Sequence, residues 1–150
     1  MKIKKLVAIS LMSFAAWGTA AQADITIGAL FPMSGPNAVY NDIFGSGANL
    51  AIEHLNADKT LSEPVAIQYE DSQALPQQGL IGMNKLVNVN KVPYVMSAFT
   101  GVSKAISTTG SRSKTVAING GGVGPDLAEL GPYFWNIIPL ANFEVKAMLP

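Results

Sequence analysis

The 150-residue chain has no cysteine and a single histidine, His54. The first absence excludes a disulfide scaffold, a CxxC redox centre and a thiolate metal site. The second leaves imidazole catalysis one position and no evident partner. Charge is scarce as well, at 13% of residues with ten of each sign. Three of the basic residues, Lys2, Lys4 and Lys5, lie in the first five positions, so the part after Ala23 carries a net charge of −3. A weakly acidic body argues against nucleic acid as a partner. No HExxH, histidine-rich or carboxylate-cluster spacing suggests a metal, and no cofactor is expected. With 49% hydrophobic residues the chain is too apolar for intrinsic disorder and suits one compact domain.

The N-terminus has the grammar of an export signal. Lys2, Lys4 and Lys5 form a cationic start, Leu6 to Trp17 is an uncharged apolar run, and Gly18 to Ala23 ends in a small-x-small pattern. Cleavage is expected after Ala23, giving a signal peptide at 1–23 and a domain at 24–150. Twelve apolar residues are too few for the roughly 20 that cross a bilayer core, and no later segment reaches that length. The expected location is periplasmic.

From Asp24 onward, short β-branched runs alternate with stretches of helical period, and this predicts an α/β fold with a parallel sheet flanked by helices. Strands are expected at Ile25–Phe31, Val65–Glu70, Pro93–Phe99, Thr115–Asn119 and Tyr133–Ile138. Because the strands lack strict apolar/polar alternation, burial on both faces is expected. One helix is expected over Gly45–Ala57, with Ala48, Ala51, Ile52 and Leu55 forming a buried stripe. A second is expected over Pro76–Asn90, with Leu80, Met83, Leu86 and Val87 inward, and a third over Val102–Ser111. Helical patterns also begin near Pro125 and near Glu144.

Ligands of such sheets bind beyond the carboxyl ends of the strands, so the loops there hold the candidate chemistry. Gly120, Gly121, Gly122 and Gly124 let the backbone approach a guest and aim N–H groups at an anion, either phosphate or carboxylate. No Gly-Lys-Ser/Thr follows, so the nucleotide pattern is incomplete. A turn that only closes a strand-to-helix connection is the competing reading. Ser34, Tyr40, Thr100 and Ser103 supply hydroxyls that orient a small polar ligand without transforming it. Glu70 and Asp71 are adjacent on a strand, point to opposite faces and cannot act as a carboxylate pair; Asp71 is expected to cap or orient a neighbouring loop. Nothing places His54 beside a nucleophile, and no enzymatic activity is expected.

The stretch Asp24 to Tyr40, with its Met33-Ser34-Gly35-Pro36 and an aromatic four residues after the proline, resembles the opening of the periplasmic leucine/isoleucine/valine-binding proteins. Gly45 to Asn56, Tyr69-Glu70-Asp71-Ser72 and Ile118 to Leu127 follow that family in order. The resemblance implies the first lobe of a two-lobed type I periplasmic-binding fold, with the second lobe absent from this chain. It also implies a substrate-binding component of an ABC importer that captures a small amino-acid-like or other carboxylate solute, of the branched-chain type, and hands it to an inner-membrane permease. Carried over by position, Thr100 or Gly101 and the backbone of Gly121, Gly122 and Val123 hold a carboxylate, while Tyr40 and Phe99 line the apolar part. Val123 departs from the family's threonine, which removes a hydroxyl that would accept from an ammonium group. Two other classes stay open at this point: a sensory module for amides or aromatic acids, and an exported α/β enzyme fragment.

Overall fold

The computed structural model describes residues 25–149; the export signal expected at 1–23 lies outside them. Five strands, β1 (Ile25–Phe31), β2 (Val65–Asp71), β3 (Tyr94–Ser97), β4 (Val116–Asn119) and β5 (Phe134–Asn136), form one sheet in the order β2-β1-β3-β4-β5. Every neighbouring pair is parallel. All the carboxyl ends therefore lie along one edge. Four helices complete the fold: α1 (Val39–Ala57), α2 (Pro76–Asn88), α3 (Thr100–Ser113) and α4 (Ala141–Met148).

α2 and α3 cover one face of the sheet. Leu30, Val95, Ala117 and Phe134 project from four strands on that side and meet Met83, Leu86, Val102 and Ile106 from the helices. α2 begins with Pro76, whose fixed φ and missing N–H suit a first helical position. α3 ends where Lys114 turns left-handed (φ 57°) and its amide returns to the Gly110 carbonyl.

α1 lies on the other face and covers Ala29 and Phe31 with Phe44 and Ala48. Its far end is tied to β2 by Asn56, whose amide group donates to the Val65 carbonyl at 2.9 Å and accepts from the Val65 N–H at 2.8 Å. This helix starts six residues before its expected beginning. Its inner stripe is Phe44, Ala48, Ile52 and Leu55, all half-buried, whereas Ala51 is exposed. The expectation of strands buried on both faces also fails, for α1 reaches only β1 and β2 on its side. Tyr94, Trp135 and Ile137 are 45%, 62% and 71% exposed, and a cavity of about 470 Å³ opens between α1 and the half-buried Met96 and Ile118.

Candidate functional site

Chain order reverses between β1 and β3, since the chain passes outward from β1 to β2 and then returns to the far side of β1. The two flanking connections diverge there and leave a crevice at the carboxyl edge, which is where parallel α/β sheets bind ligands. The connections after β1, β3 and β4 border that crevice, and α1 and α3 start beside it.

The connection after β1 is held by Asp71 at the end of β2. Its carboxylate accepts from the Met33 amide at 2.8 Å, the Gln73 amide at 2.9 Å, the Ser34 hydroxyl at 2.6 Å and, at 3.4 Å, the Ser34 amide. Asp71 thus orients the loop, as its position suggested, and Glu70 on the opposite face pairs with Lys85 at 2.7 Å. Partial burial pushes the Asp71 carboxyl up, but the hydrogen bonds from the Ser34 hydroxyl and from the Gln73, Met33 and Ser34 amides outweigh it and hold the group below the ordinary carboxylate value. A depressed folded-state pKa contributes stability that is complete above the unfolded value, near pH 4, and is lost as pH falls through the depressed one. Asp71→Ala is accordingly expected to cost about 1–2 kcal/mol at pH 7. In urea titrations the gap between mutant and wild type closes on acidification, and an unchanged gap at pH 2 would show that the loop does not depend on the charge.

An aromatic wall stands beside this loop. Tyr40 stacks on Phe44 at 6.1 Å, meets Phe99 edge-on at 5.4 Å, and Phe44 in turn packs on Phe31 at 5.5 Å. Tyr40 is 42% exposed and sits in the first turn of α1, not in a loop. Phe99, the residue before α3, has φ 69° and ψ 130°, a conformation that costs a non-glycine residue of order 1–3 kcal/mol. Replacing it by glycine removes both the ring and the strain, while alanine removes the ring alone. Phe99→Gly should therefore be more stable than Phe99→Ala by about 1 kcal/mol or more, the reverse of the ordinary order, as read from thermal melts.

The turn after β4 is built on Asn119, which is wholly buried. Its side-chain oxygen accepts from the Gly122 amide at 2.7 Å, the Gly121 amide at 3.3 Å and the Ser103 hydroxyl at 3.3 Å. Its amide group donates to the Gly122 carbonyl at 2.7 Å and to the Asn136 side-chain oxygen at 3.0 Å. Asn136 then donates to the Leu127 carbonyl at 3.0 Å. The turn lies so close over α1 that a Cβ at Gly121 would meet Phe44 Cζ at 2.7 Å. Gly124 donates to the Thr100 hydroxyl oxygen at 3.0 Å, which ties this turn to the start of α3.

These bonds revise the expected site. Gly122 is buried, and both its N–H and its C=O are held by Asn119, so it is not free for a ligand. Ser103 is also wholly buried, bonded to Ser97 at 3.0 Å and to Asn119, because α3 begins at Thr100 and a residue one turn later falls on its inner face. The helical pattern near Pro125 is only a five-residue 3₁₀ turn, Pro125–Glu129, and supplies no helix dipole to the glycine turn. The dipole at this edge belongs to α3. The N–H groups of Thr100 and Gly101, in its first turn, and that of Val123 have no intrahelical acceptor and no other protein partner among the described residues. Val123 is 42% exposed and Gly101 is exposed. Sequence reasoning missed Asn119 as the organising residue. Its signal was the Asn-Gly-Gly order, in which an Asn side chain bonds the amides just downstream.

The arrangement offers main-chain donors, hydroxyls and ring faces along one crevice. Among the described residues it contains no nucleophile paired with a base: His54 is exposed on α1, and the buried Ser97 and Ser103 bond each other. Fold and site together define a doubly wound α/β domain with main-chain donors and aromatic rings gathered at the carboxyl edge of its sheet.

The chain belongs to the periplasmic binding protein family, whose pattern matches residues 24–150. It is 31% identical over 132 residues to the Leu/Ile/Val-binding protein homolog 3 of Brucella melitensis biotype 1, an overlap of 87% of this chain and 36% of that relative. The chain thus spans about a third of the length of such relatives. Its fold is similar to that of the branched-chain amino acid transporter substrate-binding protein LivJ from Streptococcus pneumoniae in complex with isoleucine, with a TM-score of 0.75 and 22% identity over 79% of this chain and 34% of that one. It is also similar to an ABC-transporter solute-binding protein from Rhodopseudomonas palustris BisB5 in complex with 3,4-dihydroxybenzoic acid, with a TM-score of 0.72 and 18% identity over 78% and 32%. At these identities the two structures establish the parallel sheet flanked by helices as that of type I periplasmic-binding proteins.

Proposed function

We propose that this chain is the ligand-capturing first lobe of an exported substrate-binding component of an ABC importer, and that it holds a small carboxylate solute. Membership of the periplasmic binding protein family and relatives named for leucine, isoleucine and valine support the importer role, the periplasmic location and an amino-acid-like cargo. The observation that carries the reading is the meeting of unbonded amides from Thr100, Gly101 and Val123 with the Tyr40 and Phe99 rings at the strand-order reversal. Amides at the positive end of α3 take the carboxylate, and the rings take the apolar part. The inner-membrane permease is the partner that receives the solute. No step here needs a reaction or a cofactor.

The test is a thermal-shift screen of the full-length mature protein against branched-chain amino acids, other amino acids and aromatic acids. Binding to the native state raises the melting temperature with the logarithm of ligand concentration. Tyr40→Ala should weaken the best binder roughly five- to tenfold through loss of ring contact. If no carboxylate raises the melting temperature, the proposal is wrong.

A further inference from the structure

We infer that Asn119-Gly120 is a self-modification site, at which the Gly120 nitrogen attacks the Asn119 carboxamide whenever the turn after β4 opens. Asn119 is the only asparagine in the chain that precedes a glycine. The order matters because the amide nitrogen that follows an asparagine lies within reach of its Cγ, and a residue without a Cβ lets that nitrogen swing onto the carbon. The Gly120 nitrogen loses its proton to solvent, the bond from that nitrogen to Cγ forms, and the Cγ–Nδ2 bond breaks. Nδ2 takes a proton back from solvent and leaves as ammonia. The cyclic imide then adds one water and opens at either carbonyl, giving aspartate or isoaspartate. Only the chain and water take part, and nothing is oxidised or reduced.

The closed turn holds this reaction off. The Gly120 N–H donates to the Ser97 carbonyl at 3.0 Å, so the nitrogen that must attack keeps its proton. The Nδ2 that must leave is fixed on the Gly122 carbonyl at 2.7 Å and on the Asn136 side-chain oxygen at 3.0 Å. Asn119 is wholly buried, which shuts its carboxamide off from solvent. The donors on its oxygen, from Gly121, Gly122 and Ser103, would steady the negative charge formed on attack, but they are in place only while Gly120 is still bonded to Ser97. Opening is a local event, because Gly120, Gly121, Gly122 and Gly124 bury no side chain and Val123 is exposed. Once converted, the turn cannot close as before. Neither acid has the Nδ2 donors, aspartate sets a charge at a buried position, and isoaspartate lengthens the main chain by one carbon at the end of β4. The lesion is thus one-way, at a rate set by how often the turn opens.

Incubation of the full-length mature protein at mildly alkaline pH, followed by peptide mass spectrometry with detection of isoaspartate, tests this. In buffer, conversion at Asn119 is expected to run at least about tenfold more slowly than in urea that unfolds the protein. Thr100→Val removes the acceptor of the Gly124 N–H and should speed conversion in buffer roughly three- to tenfold while leaving the rate in urea unchanged. Thr100→Ser keeps that acceptor and should stay near wild type. Hydrogen exchange at the Gly122 amide should rise by the same factor as conversion in Thr100→Val. Gly120→Ala adds a Cβ that meets only Ile137, at an ordinary 3.7 Å, and should suppress conversion in urea, where folding plays no part. No isoaspartate at Asn119 in urea, or undiminished conversion in Gly120→Ala, would overturn the site. Equal rates in buffer and urea, or faster exchange at Gly122 without faster conversion, would overturn its control by the turn.

Discussion

Asn119→Ala is expected to lower stability by about 3–4 kcal/mol and the melting temperature by roughly 10 °C or more, because it leaves the Gly122 N–H and C=O buried with no partner. An unsatisfied buried donor or acceptor costs about 1–3 kcal/mol, and here two are orphaned in one residue. A second effect adds to it. Without Asn119 the Asn136 oxygen loses its donor and the Ser103 hydroxyl its acceptor, so β4, β5 and α3 lose a common tie. Asn119→Asp should be at least as damaging, for it keeps the acceptor but deletes both donated bonds and places a charge where no solvent reaches. Asn84→Ala, on the exposed side of α2, should change stability by less than about 0.5 kcal/mol and serves as the control. Hydrogen exchange gives the local readout: the amides of Gly121 to Gly124 should lose protection in Asn119→Ala before the core of β1 does. A loss below about 1 kcal/mol would mean that the turn is held by its packing and not by this side chain.

β1 was legible to the residue because an apolar, β-branched run from Ile25 to Phe31 is bounded by Asp24 and Pro32. α1 was legible only from Gly45 onward. Its first six residues, Val39 to Phe44, are β-branched, aromatic or short and polar, types with weak helix propensity, and Ala38 before them makes no side-chain cap. Their helicity comes from burying Phe44 against Phe31, a tertiary contact that no local pattern announces. The same shift moved Tyr40 from loop to helix. α3 was displaced for a related reason: it starts at Thr100 after a strained Phe99, so Ser103 points into the core and not at the edge. Asp71 could be read correctly because a carboxylate at a strand end has few roles other than receiving the amides of the loop beside it. The exposed Trp135 and Ile137 could not, since their sequence neighbours are as apolar as those of a strand covered on both sides.

The second large effect lies where α2 presses on the sheet. Gly28 in β1 faces Leu86 so closely that an added Cβ would sit 2.9 Å from Leu86 Cδ1, 3.2 Å from its Cδ2 and 3.1 Å from Val95 Cγ2. Leu86 is wholly buried, and Leu86→Ala is expected to cost about 2–5 kcal/mol from lost transfer energy and the cavity it leaves. Gly28→Ala alone forces the Leu86 tip out of its rotamer and should cost about 1–2 kcal/mol. In the Leu86→Ala background that obstacle is gone. The added methyl then enters the vacated space and the unfolded chain loses backbone freedom, so the same substitution becomes neutral or stabilising by up to about 1 kcal/mol. Only the contact with Val95 still has to give by a few tenths of an ångström. The coupling from a double-mutant cycle should therefore reach about 1–3 kcal/mol, large for one pair but within what touching core residues show. Equal costs for Gly28→Ala in both backgrounds would mean that the distance between α2 and β1 is set elsewhere. Gly82 is the alternative, since a Cβ there would approach Leu30 Cδ2 at 2.6 Å. Either way, a helix seated this close fixes the height of β1, and with it the position of Phe31 and of the loop that Asp71 holds at the crevice.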